Sequence, residues 1–536
     1  MINEFELKST QKEEHLYLLE GRTCVVVESS SRNLVTNILR PLVERHVEDE
    51  VIDDWMGKSL KTVNGLPPRL YGLRKVHKAG CKMRPVVSCI KSPCYKVAKF
   101  LHTMLTPVID TFDINVKNSV ELVELCSTVR LPEGYVLVSL DVVSLFTNIP
   151  KELVLSTIEE NWDDFKRVTK LWKKDLIDLV TICFDTSYFT FNNEFYIQLD
   201  GSAMGNPASP TLANLVMYHV LNKVIRVIPF RIAFLKLYVD DTLLAVSEDR
   251  VEGLLTWFNG VHPKIQFTME KEVDNKLPFL DTVVFRLDSG ELRTNWYQKP
   301  SCSGRLLNFN SHHPIAHKIS VVLGLMFRAF RLSHADFYEE NLLQVRDILH
   351  RNNYPRSFID VCLRRFENLH KNRDSVNIKT QENRFRFPFI RGLSRYISLS
   401  FRSTDWRPAF YNIRTVSEVY SKLKAKTVWN QKSELVYSIP CSCGKAYVGQ
   451  TKQYLSRRIY QHKYSCQDKF RDKEDLTALA LHHFQTGQVF NFDSVRIVDR
   501  ESNFYKRNIS EMVQIFLRDT IPDDAEIKPT KRRIYE

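Results

Sequence analysis

Three acidic residues carry the first chemical signal. Asp240 and Asp241 are adjacent inside Phe234-Leu-Lys-Leu-Tyr238-Val-Asp240-Asp241-Thr-Leu-Leu-Ala-Val246. The flanking runs are apolar and partly β-branched, so the segment predicts strand, tight turn, strand, with the acids at the tip. Two neighbouring carboxylates repel and resist burial. A hard divalent cation such as Mg²⁺ removes that objection, taking one or two protein carboxylates together with substrate phosphates. A solvated Asp-rich turn is the alternative for this stretch alone, because Asp favours turns. A third carboxylate decides between them. Asp141 ends the short apolar strand Tyr135-Val-Leu-Val-Ser-Leu-Asp141, about a hundred residues earlier.

These acids need elements to hold them. Residues 1–64 are polar and charged, with helical spacing near Leu34, Ile38, Leu42 and Val43, and read as a peripheral helical segment. Leu66 to Lys78 and Cys81 to Ser88 set basic residues beside β-type runs. Residues 92–130 and Leu171 to Phe184 predict amphipathic helices. Phe189 to Gln198 predicts a hairpin turning at Asn192-Asn193. A glycine-containing loop, Gly201 to Ser209, leads into a helix over Pro210 to Val224. Gln266 to Glu270 and Leu277 to Phe285 predict one strand each, His317 to Leu332 a helix, and 336–425 a mostly helical basic region.

Tyr-x-Asp-Asp after a strand, with the strand-terminal Asp141 followed five residues on by Phe146, resembles the palm of a reverse transcriptase. More narrowly, Ser144-Leu-Phe-Thr-Asn-Ile-Pro150 and Met204-Gly-Asn-Pro-Ala-Ser-Pro-Thr-Leu-Ala-Asn214 resemble the Penelope-like retroelement branch. The resemblance implies an α/β right-hand polymerase that extends a DNA 3′ end on an RNA template. Asp141 and Asp240 would hold Mg²⁺ or Mn²⁺, with Asp241 beside them and the Val142 carbonyl assisting. Arg84 and Lys75 would contact the dNTP triphosphate, Phe146 would exclude a 2′-hydroxyl, and Gly205 would let backbone approach the ligand. A solvated basic loop is the alternative for Lys75.

The composition fits a polyanionic partner. The chain has 536 residues, 43% of them hydrophobic, and 76 Lys+Arg against 63 Asp+Glu give a net charge of +13. No apolar stretch approaches the ~20 residues that cross a bilayer, so no membrane partner is expected. The first residues show no secretory signal, and eleven scattered Cys suggest reduced intracellular thiols. The retroelement resemblance adds a nuclear location.

Near Ser433 the texture changes. Leu435-Val-Tyr437 and Tyr447-Val-Gly449-Gln-Thr451 predict two short strands joined by a Cys-containing turn, followed by a helix carrying Arg458 and His462. The pattern resembles the GIY-YIG endonucleases, with Glu511 in the place of a metal-binding carboxylate. Phosphodiester hydrolysis needs a proton acceptor for water, a cation facing the developing charge and a metal on the phosphate. By resemblance Tyr437 or Tyr447 helps activate water, Arg458 steadies the phosphorane and Glu511 holds Mg²⁺. His462, one helical turn from Arg458, is expected in the same groove. Cys441 and Cys443 with His482 or His483 form a candidate Zn²⁺ site, with free thiols in a turn as the alternative. The first motif departs from the family, reading Leu-Val-Tyr for Gly-Ile-Tyr, and Gln488 stands where a His is expected.

The expected division is therefore 1–64 N-terminal segment, 65–290 fingers and palm, 291–425 helical thumb and connector, and 426–536 endonuclease. The nuclease would nick target DNA and so supply the primer. A catalytically dead nucleic-acid-binding relic and a telomerase-like or RNA-templated RNA polymerase are the rival classes. The retained acids argue against the first, and Phe146 with the appended nuclease argues against the others.

Overall fold

The computed structural model describes residues 24–27, 41–60 (42, 46 and 51 excepted), 65–74, 83–371 (193 excepted), 383–413 and 424–521 (472, 474 and 475 excepted). Lys75 lies outside the described residues, as do Leu34, Ile38 and Leu42.

The architecture is mixed α/β with the fingers and palm of a right-hand polymerase. The fingers sheet runs β1 (Cys24–Val27), β6 (Glu194–Gln198), β5 (Tyr188–Phe191), β2 (Arg69–Arg74), β3 (Met83–Ser88). Its edge strand corrects in part the reading of the N-terminal segment as peripheral and helical, because residues 24–27 are a strand while Asp54–Leu60 is a helix. Cys24 to Val27 pair antiparallel with Gln198 to Phe195, so part of that segment is built into the fingers.

The palm sheet is antiparallel, in the order β7 (Phe234–Tyr238), β8 (Asp241–Ser247), β4 (Tyr135–Val142), β9 (Phe267–Lys271). β4 is central and covered on both faces, which accounts for its unbroken run Val136-Leu137-Val138. Side chains alternate along a strand. Val136, Val138 and Leu140, with Leu244 and Val246, face a helical layer. That layer comprises α1 (Asp54–Leu60), α2 (Tyr95–Ile109), α5 (Lys151–Glu160), α6 (Trp162–Val168), α7 (Lys173–Asp185), α8 (Ser209–Val227) and α9 (Val251–Asn259). Leu137, Leu243 and Ala245 face the other way, onto α3 (Ser119–Thr128) and the sheet β10 (Lys276–Phe279), β11 (Thr282–Arg286), β12 (Leu292–Trp296). Asn118 caps α3 by accepting from the Val120 and Glu121 amides at 2.9 and 3.1 Å.

Leu277 to Phe285 forms two strands and not the single strand expected. Leu280 takes φ +53° and turns the chain, pairing Phe279 with Thr282. Asp281 on that turn accepts from Arg328 at 2.6 Å, tying the palm to the following helices.

Those helices are α10 (Ile315–Arg331), α11 (Tyr338–Arg351) and α12 (Arg356–Lys371), packed through Val322, Met326 and Ala329 against Val345, Leu349, Ile359 and Phe366. The connector beyond them is less helical than expected. β13 (Asn383–Pro388) pairs in parallel with β14 (Trp406–Tyr411), and α13 (Leu393–Ser400) lies between them in sequence. The last unit is a small α/β fold. Its sheet runs β16 (Ala446–Thr451), β15 (Leu435–Pro440), β17 (Arg496–Arg500), with helices α14 (Leu455–Ser465), α15 (Ala478–Thr486) and α16 (Phe504–Phe516). No helix among the described residues is long and apolar enough to cross a membrane.

Candidate active sites

The palm sets Asp141 and Asp241 opposite each other, with Asp240 in the adjoining turn. Asp141 of β4 is the register partner of Asp241 of β8. Residues so opposed stand roughly 4.5–5.5 Å apart and share a face. Tyr238 pairs with Asp241, so Val239 and Asp240 are the two residues of the β7–β8 turn. Val239 takes φ +56°, a left-handed conformation that a β-branched residue adopts only under strain. The strain turns the chain tightly enough to leave Asp240 at the tip beside the opposed pair. All three carboxylates are half-buried. Carboxylates are hard oxygen donors of the kind a divalent cation takes together with substrate phosphates.

A short helix, α4 (Leu145–Asn148), follows the Asp141 strand and carries Phe146, which packs half-buried against the palm core. The Phe146 carbonyl accepts from the Ser202 amide at 2.7 Å. Gly201, at φ +74°, lies so close that a Cβ there would meet the Phe146 and Thr147 carbonyl oxygens at 2.5 and 2.4 Å. The sugar-gate candidate is therefore fixed by the loop that follows β6.

The same loop joins the fingers. The Val87 amide donates to the Met204 carbonyl at 2.8 Å, and a Cβ on Gly205 would stand 2.3 Å from the Val87 oxygen. Gly205, at φ +118°, thus allows a strand of the fingers to approach, a role the sequence reading had given to a ligand. Arg84 is exposed on that strand, three residues before Val87. Val142 is buried at the end of β4, where it pairs with Phe267.

In the C-terminal unit Tyr437, Tyr447, Arg458 and His462 converge. Tyr437 Oη lies 2.7 Å from His462 Nε2, and Arg458 Nε donates to it at 3.2 Å. Tyr447 packs edge-on against the His462 ring at 5.1 Å and also bonds Arg458. Gly449 is the register partner of Tyr437, and a Cβ there would meet both phenol oxygens at 2.9 Å. That glycine is needed for space, not for backbone freedom.

Burial separates the two phenols that the sequence left equivalent. Tyr437 is fully buried, and burial raises its pKa well above the usual phenol range. Tyr447 is half-exposed and is the one that water reaches. His462 does not face an open groove, which corrects the expectation. It is 1% exposed, and burial together with the Arg458 charge lowers its pKa to about 3. It is thus a neutral acceptor behind Tyr437, displaced inward because Ile459 and Leu455 share its helix face.

Glu511 is held by residues that the motif reading did not single out. Gln450 Nε2 donates to Glu511 at 3.0 Å and also bonds Asn508. Arg507, only 2% exposed, donates from Nε to Gln450 Oε1 at 2.8 Å and from a terminal nitrogen to the Glu501 carbonyl at 2.9 Å. Its sequence signal was position: Arg507 is one helical turn before Glu511, on the same face of α16.

Cys441, Cys443 and His482 bring their ligand atoms within 4.8 Å of one another. His482 Nε2 is 3.5 Å from the Cys441 sulfur and 3.6 Å from that of Cys443. Tetrahedral zinc bonds of ~2.0–2.3 Å put neighbouring ligand atoms about 3.5 Å apart, so these three fit Zn²⁺. His483 does not join them. Its Nδ1 turns to the Gln488 carbonyl at 2.6 Å, because adjacent helical residues point about 100° apart. The Gln488 side chain accepts from Ser442 at 2.5 Å.

Residues 76–271 match the family described as reverse transcriptase (RNA-dependent DNA polymerase), and residues 305–364 match an animal helix-turn-helix domain. The chain thus carries a reverse transcriptase domain, and α10, α11 and part of α12 lie in the helix-turn-helix match, which the sequence reading did not foresee. No curated protein matches the chain. Among solved structures, it is similar to telomerase from Candida albicans at 10% identity and TM-score 0.43, covering 69% of this chain and 63% of that one. It is also similar to the Sicinivirus 3Dpol RNA-dependent RNA polymerase, at 11% identity and TM-score 0.41, over 59% of this chain and 70% of that one. The chain spans less than two thirds of the telomerase length.

Proposed function

We propose that the protein is a retroelement enzyme of the Penelope-like kind. It copies an RNA template into DNA from a DNA primer, and a C-terminal GIY-YIG endonuclease nicks target DNA to provide that primer. The observation that carries the polymerase reading is the Asp141–Asp241 opposition with Asp240 at the adjoining turn, inside the matched reverse transcriptase region. Asp141 and Asp240 would hold Mg²⁺ or Mn²⁺, with Asp241 and the Val142 carbonyl beside them. The bound ions would activate the primer 3′-hydroxyl and neutralise the leaving pyrophosphate. Arg84 offers a planar, bidentate grip on triphosphate oxygens. Phe146, its backbone fixed by Ser202, presents a bulky ring where a ribose 2′-hydroxyl would lie.

In the nuclease reading Arg458 remains charged next to both phenols and faces the developing phosphorane charge. His462 accepts from Tyr437 and fixes the phenol, while the Tyr447 oxygen accepts a hydrogen bond from the attacking water. Glu511, oriented by Gln450, would hold the metal on the phosphate. Cys441, Cys443 and His482 would hold Zn²⁺ and brace the turn between β15 and β16. The work would take place in the nucleus.

Primer extension by purified protein on poly(rA)/oligo(dT) with Mg²⁺ tests the polymerase. Incorporation of dTTP that disappears in Asp141→Ala supports it, and incorporation that survives the substitution refutes it.

A further inference from the structure

We propose that the outer edge of α14 is a stacking site for unpaired DNA bases, so that the nuclease takes a substrate with an opened strand next to the cut. This rests on the endonuclease reading above. α14 carries Arg458 and His462 on its inner side. Arg457, Tyr460 and Tyr464 follow at i, i+3 and i+7 and therefore line one outward edge of the same helix. Tyr460 is 66% exposed and Tyr464 42% exposed. Their rings lie within 20° of parallel, with centroids 6.2 Å apart.

Two exposed rings lying side by side form a platform that a planar ligand can stack on. The surroundings indicate which ligand. Tyr464 continues into Phe470 at 4.9 Å, and Lys469 Nζ stands 4.5 Å from the Tyr464 centroid and 5.0 Å from that of Phe470. Lys473 Nζ is 4.8 Å from the Phe470 ring. Rings interleaved with cations provide base stacking and phosphate neutralisation together, which is how unpaired strands are held without regard to sequence. An apolar protein partner would not need the cations, and an intact duplex would not offer its base faces. Tyr460 points about 200° away from Arg458 around the same helix, so the proposed strand stacks on the outer edge and must turn around α14 to present its phosphate to Arg458 on the inner side.

The test uses full-length protein and single-stranded DNA in which thymines are replaced by 5-iodouracil. Ultraviolet cross-linking followed by peptide mapping should place an adduct on Tyr460 or Tyr464, and unlabelled single strand should compete for it better than duplex. With Tyr460 and Tyr464 both changed to Ala, that adduct should vanish and nicking of bubble-containing DNA should fall about 5- to 150-fold, the range for losing one stacked base. Nicking of intact duplex should change little, and the Phe replacements should restore both readouts. If the protein nicks nothing, the endonuclease reading fails, while the adduct alone still supports the stacking site. Adducts confined to other residues, adducts with labelled RNA but not DNA, or a double-Ala variant that cross-links like the parent would each overturn the proposal.

Discussion

The Tyr437 phenol and His462 Nε2 are 2.7 Å apart, and both side chains are buried. The phenol oxygen accepts from Arg458, so its own proton points to His462, which must be neutral with its proton on Nδ1. Folding therefore withholds a proton that the unfolded chain would bind. The histidine's ordinary pKa of 6.5 falls to about 3, so the stability is complete above pH 6.5 and is lost progressively as pH drops toward 3. At pH 5 the loss is about 2 kcal/mol. Hydrogen exchange in peptides spanning 435–440 and 455–465 should speed up between pH 7.5 and pH 5, after correction for the intrinsic rate. His462→Gln should flatten that dependence. Equal pH responses in the two proteins would show that His462 is not the titrating group.

Gly449 sits under the two phenols. A methyl group at that position would have to displace Tyr437, Tyr447 or both, since each hydroxyl would be 2.9 Å from it. Gly449→Ala should reduce nicking on the order of 100-fold, the scale for a misplacement of about 1 Å. Primer extension should be unchanged. Nicking within a few fold of the parent would mean that the phenols need not hold this geometry.

The palm turn makes a separate prediction. Asp240→Ala should abolish dNTP incorporation and leave template-primer affinity within a few fold, because phosphate contacts dominate affinity. Val239→Gly should release backbone strain of about 1–3 kcal/mol, partly offset by the entropy of glycine in the unfolded chain. The variant should melt slightly higher yet incorporate more slowly, since Asp240 is held less firmly. Denaturant melts and single-turnover incorporation measure the two effects. Faster incorporation would contradict the view that strain positions the acid.

The palm was legible in the sequence because its signals are local. The apolar run of β4, the apolar runs on either side of Asp240 and Asp241, and the loop before α8 each declare themselves within about ten residues. The pairing of Cys24–Val27 with β6 does not, since nothing near residue 24 indicates a partner some 170 positions away. Likewise Arg507 looks like one more basic residue on an amphipathic helix, and only the fold shows it buried beneath Gln450. Tyr437 and Tyr447 are alike in a motif, and what distinguishes them is the packing of Leu455, Ile459 and Leu479 around the first. The short turn at Leu280 was missed because the apolar and β-branched residues on either side of Asp281 outweigh it and Pro278 as turn signals, so β-propensity hides the break.

Zinc content distinguishes two adjacent histidines. Protein purified without chelator should carry about one zinc per chain by mass spectrometry of the metal. His482→Ala and Cys443→Ser should lower that content, whereas His483→Ala should leave it intact, because the His483 ring bonds a backbone carbonyl. Zinc content lost only in His483→Ala would reverse the ligand assignment.

The C-terminal unit meets the fingers through side-chain contacts, among them Arg69 of β2 donating to the Ala425 carbonyl and to Thr427. Lys91 reaches Glu434 at 2.6 Å, and the Tyr454 hydroxyl donates to the Gly65 carbonyl at 2.7 Å. The ion pair is partly exposed, and such pairs contribute about 0–1 kcal/mol. The unit has its own core around Leu435, Ile439, Leu479 and Phe490, so that contact is not what holds it folded. A fragment of residues 425–536 should therefore fold alone and nick DNA with Mg²⁺ or Mn²⁺. Glu511→Ala should silence the nicking. Arg458→Ala should cost about 2.7–4 kcal/mol of transition-state stabilisation, the scale for removing one charge-stabilising donor. In the full chain neither change should slow extension of a supplied primer, since Asp141 and Asp240 stand on a separate sheet. Should Glu511→Ala abolish primer extension as well, the contact between Lys91 and Glu434 would become the first place to look for coupling, and Glu434→Gln would test it by removing that ion pair without touching either set of reacting groups.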